Sequence, residues 1–203
     1  MVRFVVMAAG LATRMGQDKL VMPWKDSTVL GHVLQTLLEA IEREGAFTEI
    51  CVVARHPIER YVSEGNQDKF KVHDGLWLQV PSPKPLAETI RIGLKDLNSK
   101  VQSIGFLPGD QVGVRADGLA ACLREVRRSL PDFLVPIAGD TTGSPVFFHR
   151  RYVPELLALQ GEQGGREVLS RYPERWSKYP VEERLFQDVD TPEQYHTLRS
   201  LNM

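Results

Sequence analysis

Phe4-Val5-Val6-Met7-Ala8, running into Ala9-Gly10-Leu11-Ala12-Thr13-Arg14-Met15-Gly16-Gln17-Asp18-Lys19, is an apolar strand that breaks into a loop of small residues. Continuous apolar character predicts a strand covered on both faces. Such a loop gathers backbone N–H groups into a nest that attracts anions. Arg14 and Lys19 set fixed positive charge on either side of Gly16, as a polyphosphate requires. The spacing is not that of the common phosphate-binding loop. Five residues separate Gly10 from Gly16, and Lys19 follows after two more residues rather than directly, with no Ser or Thr after it. There is no G-x-G-x-x-G either, which argues against a dinucleotide loop. On residue types alone, an ordinary strand-to-loop turn with two solvated cations fits equally well.

Beyond this loop, apolar runs alternate with helical patterns. Glu49–Ala54, Leu76–Val80 and Ser103–Leu107 read as strands. Leu30, Val33, Leu34, Leu37, Leu38 and Ile41 recur at spacings of three and four within Val29–Arg43, marking one buried helix face. Leu86, Ile90, Leu94 and Leu97 repeat that pattern, as do Leu119, Leu123, Val126 and Leu130. The alternation predicts an α/β fold with a single doubly wound, mostly parallel sheet flanked by helices. Phe133–Ile137 and Pro145–Phe148, parted by a turn-rich stretch, predict a hairpin-like pair or one antiparallel strand, making the sheet mixed. A last strand is expected at Arg184–Asp188, and Thr191-Pro192-Glu193 opens a C-terminal helix with Thr191 as N-cap. All 203 residues then form one domain, with an irregular excursion at about 138–185.

Composition narrows the function classes. The chain is 42% hydrophobic and 25% charged, with a formal net charge of −1. That balance argues against nucleic acid as a partner, so a polyanion must be gripped by a local cluster of cations. No apolar stretch is long enough for a membrane span, no signal-peptide pattern is present, and a cytoplasmic protein is expected. Cys51 and Cys122 form no C-x-x-C pair, which argues against a zinc site or a disulfide framework.

Open parallel sheets bind ligands at the carboxyl ends of their strands, where strand order reverses. Besides the first loop, Gly109-Asp110-Gln111 and Asp188-Val189-Asp190 follow apolar runs. Carboxylates beside a phosphate loop suggest Mg2+, which takes hard oxygen ligands and keeps substrate phosphates in its sphere. Asp110 is equally a turn residue, and Asp190 equally a helix cap, on these grounds alone.

Taken together, these residues resemble a known family. Met7–Leu20 followed by Met22-Pro23-Trp24 is similar to the opening of the nucleotidyltransferases that attach a nucleotide to the molybdenum cofactor, the cytidylyltransferase-like branch of the MobA-like transferases. The likeness continues through Thr28–Val33, Gly109-Asp110-Gln111, Gly143–Phe148, Leu159–Arg166 and Asp188–Glu193. It implies a Rossmann-like nucleotidyltransferase fold. It also implies that Ala8, Ala9, Gly10, Leu11, Thr13, Arg14, Gly16, Lys19, Thr89 and Asp110 bind the nucleotide. Arg14, Lys19 and Asp110 would act in catalysis, and Asp110 and Asp190 would hold the metal.

The Ala8-Ala9-Gly10 opening resembles the cytidylyl branch, and the Ala9 methyl would narrow the space beside the first strand. The implied reaction transfers CMP from CTP to molybdopterin with release of pyrophosphate, in the service of a molybdenum hydroxylase. Two alternatives stay open: a sugar or polyol phosphate as acceptor, and a non-catalytic nucleotide- or cofactor-binding accessory to a molybdenum hydroxylase. The sequence departs from the family pattern at Glu88, Val112 and Ser144. A carboxylate at 88 would repel a triphosphate unless Arg91 or the metal compensates.

Overall fold

A computed structural model describes residues 1–10, 15–45 and 47–201. The strands are β1 (Val2–Ala8), β2 (Pro23–Trp24), β3 (Ser27–Thr28), β4 (Thr48–Ala54), β5 (Leu76–Gln79), β6 (Ser103–Pro108), β7 (Phe133–Ala138), β8 (Thr141–Thr142), β9 (Val146–His149) and β10 (Trp176–Pro180). The α-helices are α1 (Val29–Glu44), α2 (Glu64–Val72), α3 (Leu86–Gly93), α4 (Ala116–Ser129), α5 (Val153–Leu157), α6 (Gly165–Leu169) and α7 (Pro192–Leu201).

The main sheet runs β10-β7-β9-β6-β1-β4-β5, with β8 paired to β7. β1 pairs in parallel with β4 on one side and β6 on the other, and β4 pairs in parallel with β5. β9 is antiparallel to both β6 and β7. The mixed, mostly parallel sheet expected from the sequence is therefore the sheet observed. The chain leaves β1 toward β4 and β5, then returns to place β6 on the other flank, so strand order reverses beside β1.

Alternation along β1 builds the two layers. Val2, Phe4, Val6 and Ala8 belong to the core under α1 and α4, while Val5 and Ala9 belong to the one under α3, α5 and α6. A strand sends successive side chains to opposite faces, so this strand must be apolar throughout. Helix α1 begins where Thr28 Oγ1 accepts from Gly31 N at 2.9 Å, and ends at Gly45 in the left-handed region (φ 57°).

Three expectations need correction. Arg184–Asp188 is not a strand: residues Glu183–Phe186 form a 3-10 turn, and the last strand is β10. Leu185 alone is fully buried in that turn, so its apolar residues fill a core gap rather than a sheet position. The third helix stops at Gly93, short of Leu97, because the buried Arg3 reaches its end and donates to the carbonyls of Gly93 and Lys95 at 3.3 and 2.9 Å. The stretch 138–185 is far from irregular, since it supplies β8, β9, α5, α6 and β10. Helix α2, for which the sequence offers no apolar stripe, buries only Gln67 and Phe70. Both cysteines are free and buried, and burial pushes their thiols up, Cys51 to about 11 and Cys122 to about 12.

Candidate active site

The parallel pairing of β1 and β6 brings their carboxyl ends together. Gly109 N donates to Met7 O at 3.0 Å, and a Cβ on Gly109 would stand 3.2 Å from the Ala8 Cβ. A larger residue would need its neighbours to give by a few tenths of an ångström, so glycine suits the close approach of this turn to the end of β1. Asp110 follows directly. Its carbonyl accepts from Val189 N at 3.1 Å, which draws the Asp188-Val189-Asp190 segment to the same place.

Lys19 is the meeting point. Its Nζ lies 2.8 Å from Asp190 Oδ1 and makes an ion pair with Asp110 Oδ2. Burial pulls the Lys19 ammonium down, but the two carboxylates outweigh it and hold the group above its ordinary value. Asp188 is half-buried beside them, and burial together with the Asp110 and Asp190 charges pushes its carboxyl up. Two carboxylates converging on one cation fit a divalent metal that draws its remaining ligands from phosphate and water. Among the described residues no set of three or more His, Cys, Asp or Glu forms a closed cage.

A cleft of about 900 Å3 opens over these strand ends, lined by Gly10, Lys84, Thr89, Asp110, Ser144 and Arg166 among others. Gly10 is exposed, and Gly16 takes the left-handed conformation at φ 66°. Thr89 is buried and its hydroxyl donates to Pro85 O at 3.2 Å. Ala8 and Ala9 are buried in the core, and neither lines the cleft. The expected narrowing of the pocket by the Ala9 methyl is thus not what the structure shows. Ala9 acts on the cleft through its carbonyl, which accepts from Lys84 N at 3.0 Å. Leu11, Thr13 and Arg14 lie outside the described residues.

The family model of the MobA-like NTP transferase domain matches residues 4–176. The chain belongs to this family. Purine catabolism protein PucB of Bacillus subtilis (strain 168) is 25% identical over 202 residues, covering 96% of this chain and 94% of its own. The structure of Rv0371c from Mycobacterium tuberculosis H37Rv superposes with a TM-score of 0.74 at 22% identity, covering 98% of this chain and 97% of that one. A complex of Rv0371c with manganese gives 0.69 at 23% identity, covering 98% of each. A nucleotidyl transferase from Methanothermobacter gives 0.71 at 18% identity, covering 99% of this chain and 97% of that one. These likenesses show the fold of a nucleotidyltransferase, and the family match makes this chain one of them.

Several groups of this MobA-like site were not singled out in the sequence. Asp18 Oδ1 accepts from Leu20 N at 3.1 Å, while Arg55 and His56 approach its other oxygen at 2.8 and 3.4 Å. Arg55 and His56 directly follow β4, so the rule that ligands gather at strand carboxyl ends was the available signal. Lys84 Nζ pairs with Glu88 at 3.0 Å, whereas Arg91 donates to Leu159 O. The charge at Glu88 is thus paired by Lys84, where Arg91 or the metal was expected to compensate. Gln111 is buried, and its amide donates to Ser144 O at 2.7 Å and Leu185 O at 2.6 Å. It ties the turn bearing Asp110 to both walls.

Proposed function

We propose that this MobA-like nucleotidyltransferase moves CMP from CTP to the molybdopterin cofactor with release of pyrophosphate. The observation that carries the reading is the convergence of Lys19, Asp110 and Asp190 at the ends of β1 and β6, beside the small-residue loop at Gly10. Nucleotidyl transfer needs little covalent help from a protein and rests on positioning and charge neutralisation. Asp110 and Asp190 would hold Mg2+, which when bound draws charge from the phosphate oxygens. Arg14 and Lys19 would neutralise the triphosphate, with Ala8, Ala9, Gly10, Leu11, Thr13 and Gly16 offering loop backbone and Thr89 shaping the wall.

The nucleophile is the terminal phosphate of the acceptor, already ionised at neutral pH. Its oxygen bonds to the α-phosphorus as the bond to the β-phosphate oxygen breaks, and pyrophosphate leaves. No side chain has to remove a proton. Ala8-Ala9-Gly10 supports CTP through likeness to the cytidylyl branch. By the name of the Bacillus relative, the molybdenum hydroxylase served would work in purine catabolism.

The mostly apolar lining of the cleft, with Leu86, Ile90, Phe106, Val146, Phe148 and Leu169, favours a flat heterocycle over a sugar or polyol phosphate as acceptor. Incubation with CTP, Mg2+ and molybdopterin should release pyrophosphate. Release with a sugar phosphate and none with molybdopterin would move the assignment to the alternative acceptor. Retained support of the partner hydroxylase by Asp110→Asn would point instead to a non-catalytic accessory.

A further inference from the structure

Asp18 and Lys19 are neighbours in sequence, yet their side chains are held on opposite flanks of β1. Arg55 directly follows β4, and Asp110 follows β6 with only Gly109 between. The pairs Ala8↔Ala54 and Met7↔Pro108 bring the ends of both strands level with the end of β1. Strands on either side of a third stand about 10 Å apart. On the β4 flank, Asp18 Oδ2 lies 2.8 Å from Arg55 Nη2. On the β6 flank, Lys19 Nζ lies 2.8 Å from Asp190 Oδ1 and pairs with Asp110. Asp18 is extended (φ −70°, ψ 97°), a conformation that sends successive side chains opposite ways. The two residues thus strap the carboxyl end of β1.

The Asp18 carboxylate joins two structures. Oδ1 caps the 3-10 turn Lys19–Val21 by accepting from Leu20 N at 3.1 Å, and Oδ2 ties that cap to β4. The cost of burying this charge pair is poorly offset. Its contact is not aligned as a hydrogen bond, and Arg55 Nε is buried without a partner among the described residues. Leu20 is buried and already holds the turn to the core. An apolar contact is non-directional, however, and leaves the line along which Lys19 crosses β1 unfixed.

We infer that Asp18, anchored by Arg55, is a positioning residue that aims the Lys19 ammonium at the triphosphate. Arg55 pulls on the cap from one side of β1 while Lys19 reaches over the other. The turn cannot then slide along the strand end as charge builds on the phosphates. This assignment rests on the reading of the protein as a transferase that takes CTP.

The test uses Asp18→Asn, which keeps the cap and removes the charge, and Asp18→Asn/Arg55→Met, which leaves no lone buried ion. In pyrophosphate release from CTP, both should lose about tenfold to a hundredfold in kcat, as misplacement of a catalytic group does. The KM for CTP should stay within about threefold, and the double variant should keep a Tm close to the wild type. Added to Lys19→Met, Asp18→Asn should cost little more, because both remove one interaction. A second readout needs no turnover. The Lys19 ammonium, assigned by its loss in Lys19→Met, should give a 1H–15N signal in the wild type that broadens away in the double variant. An undiminished kcat in the folded double variant, a full further loss on top of Lys19→Met, or an unchanged ammonium signal would overturn the assignment. A wild type that releases no pyrophosphate from CTP would overturn the substrate reading instead, and the ammonium signal would still decide the role of Asp18.

Discussion

Lys19 shows how much one residue can hold together. Its ammonium faces Asp110 and Asp190, which come from different segments of the chain. Lys19→Met removes a cation from a triphosphate site and leaves two carboxylates facing each other. The expected outcome is a fall in pyrophosphate release of about 10²–10³-fold, the size seen when one preorganised charge-stabilising group is lost. Mn2+ affinity, read by electron paramagnetic resonance, should rise, because no ammonium then competes for the carboxylates. His32 gives a second residue-scale test. Burial and then the Lys25 charge hold its imidazole below the ordinary 6.5. The unfolded chain therefore binds more protons than the fold below pH 6.5, and stability must fall as pH drops through that value. Urea denaturation between pH 7 and 5 should show this slope, and His32→Gln should reduce it.

Elements carry the site because their ends are pinned. Helix α7 starts with a reciprocal cap in which Gln194 N donates to Thr191 Oγ1 at 3.2 Å, while Gln194 Oε1 accepts from Asp190 N and Thr191 N at 2.9 and 3.0 Å. The cap fixes the backbone of Asp190 as well as the helix. Gln194→Ala should lower stability by about 1 kcal/mol, as loss of a cap does. It should also weaken Mn2+ binding, which titration by electron paramagnetic resonance would read. Thr191 as the cap was legible in the sequence, because Thr-Pro before a helical pattern has a local cause. So were α1 and α4, whose apolar stripes follow one period. The 3-10 turn at Glu183–Phe186 was not legible, because Leu185 reads the same in a short apolar strand as in a buried turn. Lys84 pairing with Glu88 was open to a spacing argument, being four apart, but its closeness to Ala9 depends on how α3 docks. Asp18, Arg55 and His56 meet only because β4 lies beside β1.

At the scale of the molecule, the net charge of −1 means that affinity for a triphosphate must come from local arrangement. The sheet supplies it by crossing the chain over itself. β9 lies between β6 and β7, so the later part of the chain is built into the sheet that begins with β1. Neither part can keep its ladder if the other opens, so unfolding followed by tryptophan fluorescence and by circular dichroism should coincide in one transition. A ligand that binds only the folded sheet should move that whole transition. At a hundredfold excess over its dissociation constant, CTP with Mg2+ adds about 2.7 kcal/mol. For a chain of this size that corresponds to a rise in Tm of about 5–10 °C. UTP, GTP and ATP at equal concentration should give smaller rises, and chelation of the metal should shrink the CTP shift. An equal shift with all four nucleotides would remove the case for CTP while leaving the triphosphate site intact. No shift with any of them would mean that the Gly10 loop and the Lys19 cluster do not bind a triphosphate at all.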